Sequence, residues 1–190
     1  MKAMKYHDYI WDLGGTLLDN YETSTAAFVE TLALYGIRQD HDSVYQALKV
    51  STDFAIETFA PNLEHFLEKY KENEARELED PILFDGVSDL LEDISNQGGR
   101  HFLVSHRNDQ VLEILEKTYI AAYFTEVVTS NSGFKRKPNH ESKIYLREKY
   151  LISSGLVMGD RPIDIEAGQD AGLDTHLFTS IVNLRQVLDM

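Results

Sequence analysis

Gly155-Leu156-Val157-Met158-Gly159-Asp160-Arg161-Pro162-Ile163-Asp164 runs from a short apolar stretch through a Gly turn into two carboxylates. Gly155 to Met158 reads as a buried strand, and Ile163 to Ala171 as the helix that follows it. Ala167, Gly168, Ala171 and Gly172 are small enough to let that helix pack closely. The same texture occurs twice more. Tyr9-Ile10-Trp11 ends at Asp12 and the Gly14-Gly15 turn, and His101-Phe102-Leu103-Val104 ends at Ser105. In an open α/β sheet the carboxyl ends of parallel strands face a ligand crevice, so polar groups in these places are candidates for chemistry.

Outward from these segments the chain alternates. A helix from Val87 to about Asn96 buries Val87, Leu90, Leu91 and Ile94, and Gly98-Gly99 ends it. Val111, Leu112, Ile114 and Leu115 mark a helix after the His101–Val104 strand. Glu126–Thr129 reads as a strand, Ile144-Tyr145-Leu146 as part of a helix, and Thr175–Phe178 as a last strand. Such alternation predicts a doubly wound, mostly parallel α/β sheet, Rossmann-like, covered on both faces.

Residues 22 to 78 break the rhythm. Phe28, Leu32 and Tyr35 recur at helical spacing before Gly36, and a shorter helix with Val44, Ala47 and Leu48 begins near Asp40 or Asp42. A third helix is expected from Pro61, with Leu63, Phe66, Leu67 and Tyr70 on one face. No strand is legible there. The expected organisation is an α/β core of residues 1–18 plus 81–190, with an inserted all-helical cap of 19–80.

Composition narrows the partners. The 190 residues carry 18 basic and 32 acidic side chains, a net charge of −14, so nucleic acid is not an expected ligand. Lys135-Arg136-Lys137 is the one tight basic run. With no cysteine there are no disulfides, thiolate ligands or thiol nucleophiles. Met1 to His7 has no apolar signal-like run and no stretch reaches spanning length, so a cytoplasmic, membrane-free protein is expected.

The chemistry-bearing residues make sense together. Asp12 in a sharp turn is placed to attack phosphorus. Asp160 and Asp164, with three residues between them, can direct oxygens to one Mg²⁺ beside Asp12. Ser105, read as directly preceding a helix, offers a hydroxyl and backbone N–H groups to a phosphate, and Lys137 adds a point charge. Each has a plainer structural reading: turn cap, helix N-cap, surface lysine. Their joint occurrence after successive strands favours one phosphate-transfer site.

The chain resembles the haloacid dehalogenase superfamily, particularly its phosphoglycolate phosphatase-like members with a helical cap. The resemblance rests on Asp12-x-Gly14-Gly15-Thr16-Leu17, Ser105, Lys137-Pro138 and Gly159-Asp160-Arg161-x-x-Asp164, and covers nearly the whole length. It implies a nucleophile at Asp12, phosphate-binding Ser105 and Lys137, and Mg²⁺ held by Asp12, Asp160, Asp164 and the backbone carbonyl of Gly14. Thr16 is implied to support the first loop. His106, next to Ser105, is expected to face the crevice and touch phosphate, whereas Arg107 reads as the first turn of a helix. Arg161 is expected to pair with the carboxylates, and Trp11 to fill the core.

One position departs. The family's phosphatases carry a second Asp two residues after the nucleophile, as general acid and base; here it is Gly14. Losing such a group slows a reaction about 10²–10⁴-fold. Three readings follow. The first is a phosphohydrolase of a small phosphorylated metabolite, slow unless the leaving group is good or an acid comes from elsewhere, with His41, His65 and Asp19 as candidates. The second is a phosphometabolite-binding protein without turnover. The third is a phosphonate or halo-acid hydrolase, with Lys49 as a conceivable imine lysine. The retained Asp160 and Asp164 weigh against a metal-free dehalogenase.

Overall fold

The structure is a computed structural model, and it describes residues 3–190. Met1 and Lys2, the start of the segment read for a signal sequence, lie outside the described residues. Among the described residues no helix is long and apolar enough to cross a membrane. The chain divides into two compact units, residues 1–18 with 83–190 and residues 19–82.

The first unit is built on five parallel strands, β1 (Asp8–Trp11), β2 (Arg100–Val104), β3 (Phe124–Val128), β4 (Gly155–Gly159) and β5 (Asp174–Leu177). Their order is β3-β2-β1-β4-β5. The crossovers that make this order are helical: α5 (Val87–Asn96), α6 (Gln110–Lys117), α7 (Glu141–Lys149) and α8 (Pro162–Asp170), with α9 (Ile181–Leu188) at the end. The winding direction changes at β1, so the carboxyl ends of β1 and β4 flank the switch point where such sheets bind ligands. β1 and β4 are buried along their whole length, as strands covered on both faces should be. Ile10, Phe102 and Val157 pack on one face against Leu146 of α7. On the other face His101 meets α5.

That second face hides a polar chain among apolar side chains. Trp11 Nε1–H donates to His101 Nδ1 at 2.9 Å, so His101 carries its proton on Nε2 and donates it to the Leu91 carbonyl at 3.0 Å. Burial pushes the imidazole down from 6.5 to about 4, opposed only by that carbonyl. The ring is therefore neutral in the fold and protonates far more readily when unfolded. Stability from this site is fully present above about pH 6.5 and is lost as pH falls towards about 4, by roughly 3 kcal/mol. Urea unfolding at several pH values is expected to show this acid loss. A His101→Gln variant, which takes up no proton, should lack it.

The second unit contains only helices: α1 (Asn20–Leu34), α2 (His41–Val50), α3 (Thr52–Phe59) and α4 (Phe66–Glu77). Asp19, Asp40 and Ser51 cap the first three through their side chains. Phe28, Leu32, Val44, Ala47, Leu48, Ala55, Phe66 and Tyr70 form its core. The Phe28 ring lies 4.9 Å from Phe66 and 5.2 Å from Tyr70, edge-on to both.

Several expectations need correcting. The third expected helix starts not at Pro61 but at Phe66, because Asn62 and His65 take left-handed conformations that no α-helix continues through. Leu67 is consequently 50% exposed instead of lying on the buried stripe. Leu112 on α6 is likewise exposed. α3 and α9 were not legible as separate helices. α6 begins at Gln110, so Ser105 precedes a four-residue turn and not the helix itself.

Candidate active site

Backbone pairing brings the motif residues to one end of the sheet. Asp12 N–H bonds the Met158 carbonyl of β4 at 3.0 Å, and Ser105 N–H bonds the Val128 carbonyl of β3 at 2.9 Å. The segments after β1, β2 and β4 therefore emerge side by side. Two glycines permit the carboxylates to close in. A Cβ on Gly15, whose φ is +77°, would overlap Asp160 Oδ2, and a Cβ on Gly159 would overlap the Asp164 side chain. The carboxylate oxygens of Asp12, Asp160 and Asp164 come within 4.8 Å of one another.

Lys137 joins them. Its Nζ donates to Asp12 Oδ1 at 2.7 Å and also pairs with Asp164 Oδ1. Its side chain is 3% exposed, against 12% for Asp12, so the group is nearly dry. Asp164, at the third position of α8, also accepts from the Arg161 backbone N–H at 3.2 Å, which fixes its orientation. The one ammonium bonded to the cluster does not balance its three carboxylates. Asp160 shows the deficit: burial, then the charges of Asp12 and Asp164, raise it to about 6, and its Oδ1 is buried with no hydrogen-bond partner among the described residues. A dry cluster of hard oxygen donors lacking positive charge fits a divalent cation such as Mg²⁺.

The remaining expected residues gather nearby with different degrees of commitment. Ser105 is buried, and its Oγ accepts from the Arg107 backbone N–H at 3.2 Å, leaving the hydroxyl proton free to donate. His106 is half-buried; burial holds its imidazole below the ordinary value, the charges of Lys137, Arg136 and Arg161 push the same way, and Asp12 opposes them. It thus lies within electrostatic reach of the nucleophile candidate. Arg161 is exposed and makes no close ion pair among the described residues, contrary to its expected pairing. The Thr16 hydroxyl is buried without a hydrogen-bond partner among the described residues, and that loop is held by backbone bonds such as Leu17 N–H to Leu13 O at 3.0 Å. Trp11 is core.

In the helical unit, Asp19 caps α1 and accepts from Tyr45 Oη at 3.2 Å; His41 bridges Glu22 and Asp42; His65 lies by Glu64 and Glu68. Each has a structural occupation. Lys49 is exposed and sits 5.8 Å from the Tyr45 ring, without the desolvation that an imine-forming lysine needs.

Sequence reasoning missed one residue. Lys143, in the first turn of α7, is 1% exposed, and its Nζ has no hydrogen-bond partner among the described residues. Burial, then Lys137, lower its ammonium to about 7, while Asp164 and Asp12 pull the other way. The available signal was its spacing: Lys143 and Leu146 are both buried three residues apart, so a lysine occupies an inward position of the helix.

Known proteins share this organisation. A hydrolase from Streptococcus pneumoniae TIGR4 has a similar solved structure, with a TM-score of 0.96, 92% identity, and coverage of 98% of this chain and 100% of that one. A phosphoglycolate phosphatase of Vibrio parahaemolyticus is 28% identical over 85% of this chain and 78% of its own. Pyrophosphatase PpaX of Oceanobacillus iheyensis is 25% identical over 90% and 83%. The family profile of haloacid dehalogenase-like hydrolases matches residues 9–178, from the first strand through all the motif segments. With 170 of its 190 residues inside that match, the chain belongs to the haloacid dehalogenase-like hydrolases.

Proposed function

We propose that the protein is a phosphohydrolase of a small phosphorylated metabolite, working through an aspartyl-phosphate on Asp12. The observation that carries this reading is the convergence of Asp12, Asp160 and Asp164 on one point, with Lys137 bonded to two of them. The similarity to phosphatases named for phosphoglycolate and pyrophosphate supports the substrate class. In this reading the α/β unit does the chemistry and the helical insert acts as the cap, the part that varies with substrate.

Asp12, Asp160, Asp164 and the Gly14 carbonyl would hold Mg²⁺. When bound, the ion offsets the repulsion between carboxylate and phosphate and draws charge from the transferring oxygens. An Asp12 oxygen attacks phosphorus, the bond to the leaving oxygen breaks, and the phosphoryl group stays on Asp12 until water cleaves it. Lys137 holds Asp12 in position and neutralises charge beside it. The Ser105 hydroxyl donates to a phosphoryl oxygen, and His106 lines the same side. No carboxyl at residue 14 protonates the leaving group. A leaving phosphate or aryl oxide departs as a stable anion, whereas an alkoxide does not, so turnover favours good leaving groups.

Hydrolysis of p-nitrophenyl phosphate tests the reading. Turnover is expected with Mg²⁺, to vanish with chelator and to return when the ion is restored. Turnover that persists in chelator contradicts the proposed metal site. Gly14 favours one second reading, a phosphate-binding protein without turnover. Tight binding of phosphate and Mg²⁺ with no hydrolysis of any activated phosphate would select it.

A further inference from the structure

Lys143 has no structural occupation. Lysine stems usually lie along apolar surface while the charged head reaches water. Here the head is buried as well, and no protein group accepts from it among the described residues. It also lies in the first turn of α7, where the helix dipole disfavours a cation. An apolar side chain of similar length would fill the space without those penalties. In the protein alone, the amine is a liability.

Its surroundings indicate what would relieve it. Lys143 lies within electrostatic reach of Asp12, Asp164 and Lys137. Lys137 already uses donors on Asp12 and Asp164. An ammonium has three N–H donors, so Lys137 has little left for a ligand. Those of Lys143 make no hydrogen bond among the described residues. We infer that Lys143 is a second ammonium ligand for the anion bound beside Asp12, donating to phosphoryl oxygens that Lys137 leaves unpaired. This rests on the phosphohydrolase reading of the same pocket.

The test is calorimetric titration of inorganic phosphate into the full chain with Mg²⁺, together with thermal unfolding without phosphate. Lys143→Met is expected to weaken phosphate binding about 10- to 100-fold, the worth of a charged hydrogen bond. The same variant is expected to unfold at a higher temperature, because it removes an unpaired buried charge. Lys143→Met binding phosphate as tightly as the parent, while Lys137→Met binds it more weakly, would overturn the inference and leave the phosphohydrolase reading standing. A lowered unfolding temperature for Lys143→Met would overturn it too, since the amine would then serve the fold. A parent chain that binds no phosphate overturns both.

Discussion

Asp12→Asn is expected to reduce turnover of an activated aryl phosphate by about 10⁴–10⁶-fold, the scale seen when a nucleophile is removed. The amide has nearly the same shape and can still accept from Lys137 through its oxygen, which now meets that ammonium at 2.7 Å. What it loses is the anionic oxygen that bonds to phosphorus. The fold should be retained, because the backbone N–H of residue 12 stays tied to Met158. Circular dichroism and phosphate binding would separate a lost nucleophile from a lost fold. If the variant kept substantial turnover, Asp12 would be at most a metal ligand.

Gly14→Asp is expected to act in the opposite direction, raising hydrolysis of alkyl phosphates about 10²–10⁴-fold. The backbone accepts the change: Gly15 has a positive φ, but Gly14 does not. A carboxyl there would protonate the leaving oxygen and then draw a proton from the attacking water. The two substrate classes should respond unequally. Aryl phosphates need little help in the first step, so their gain reports mainly on cleavage of the aspartyl-phosphate. Alkyl phosphates gain in both steps. Steady-state kinetics on one member of each class would reveal the inequality, and a uniform effect would argue that residue 14 acts on binding alone.

Much of the catalytic framework was legible because it is local. Asp12, Ser105 and Asp160 each follow a short apolar run that reads as a buried strand, and parallel strands bring their carboxyl ends together wherever the helices between them lie. Lys137 was legible through its motif. Other features depend on distant partners. Lys143 reads as an ordinary helical lysine until α7 turns that face inward. The His101 tautomer follows from Trp11 and Leu91, ninety and ten residues away in sequence. The late start of α4 has another origin, the left-handed conformations of Asn62 and His65, which outweigh the helical periodicity beginning near Pro61. Arg161 was expected to pair with the carboxylates, but it stays exposed, and the close ion pairs of Asp12 and Asp164 are made by Lys137.

The absence of a general base at residue 14 gives the central claim a direct readout. If phosphoryl transfer to Asp12 is helped by a good leaving group while water attack is not helped by a base, the aspartyl-phosphate should accumulate. Rapid-quench peptide mapping after mixing the protein with radiolabelled acetyl phosphate and Mg²⁺ measures this. The expected result is an acid-stable, hydroxylamine-labile label on the peptide containing Asp12, absent from Asp12→Asn. Turnover with no label on that peptide, or with the label on another side chain, would contradict the account.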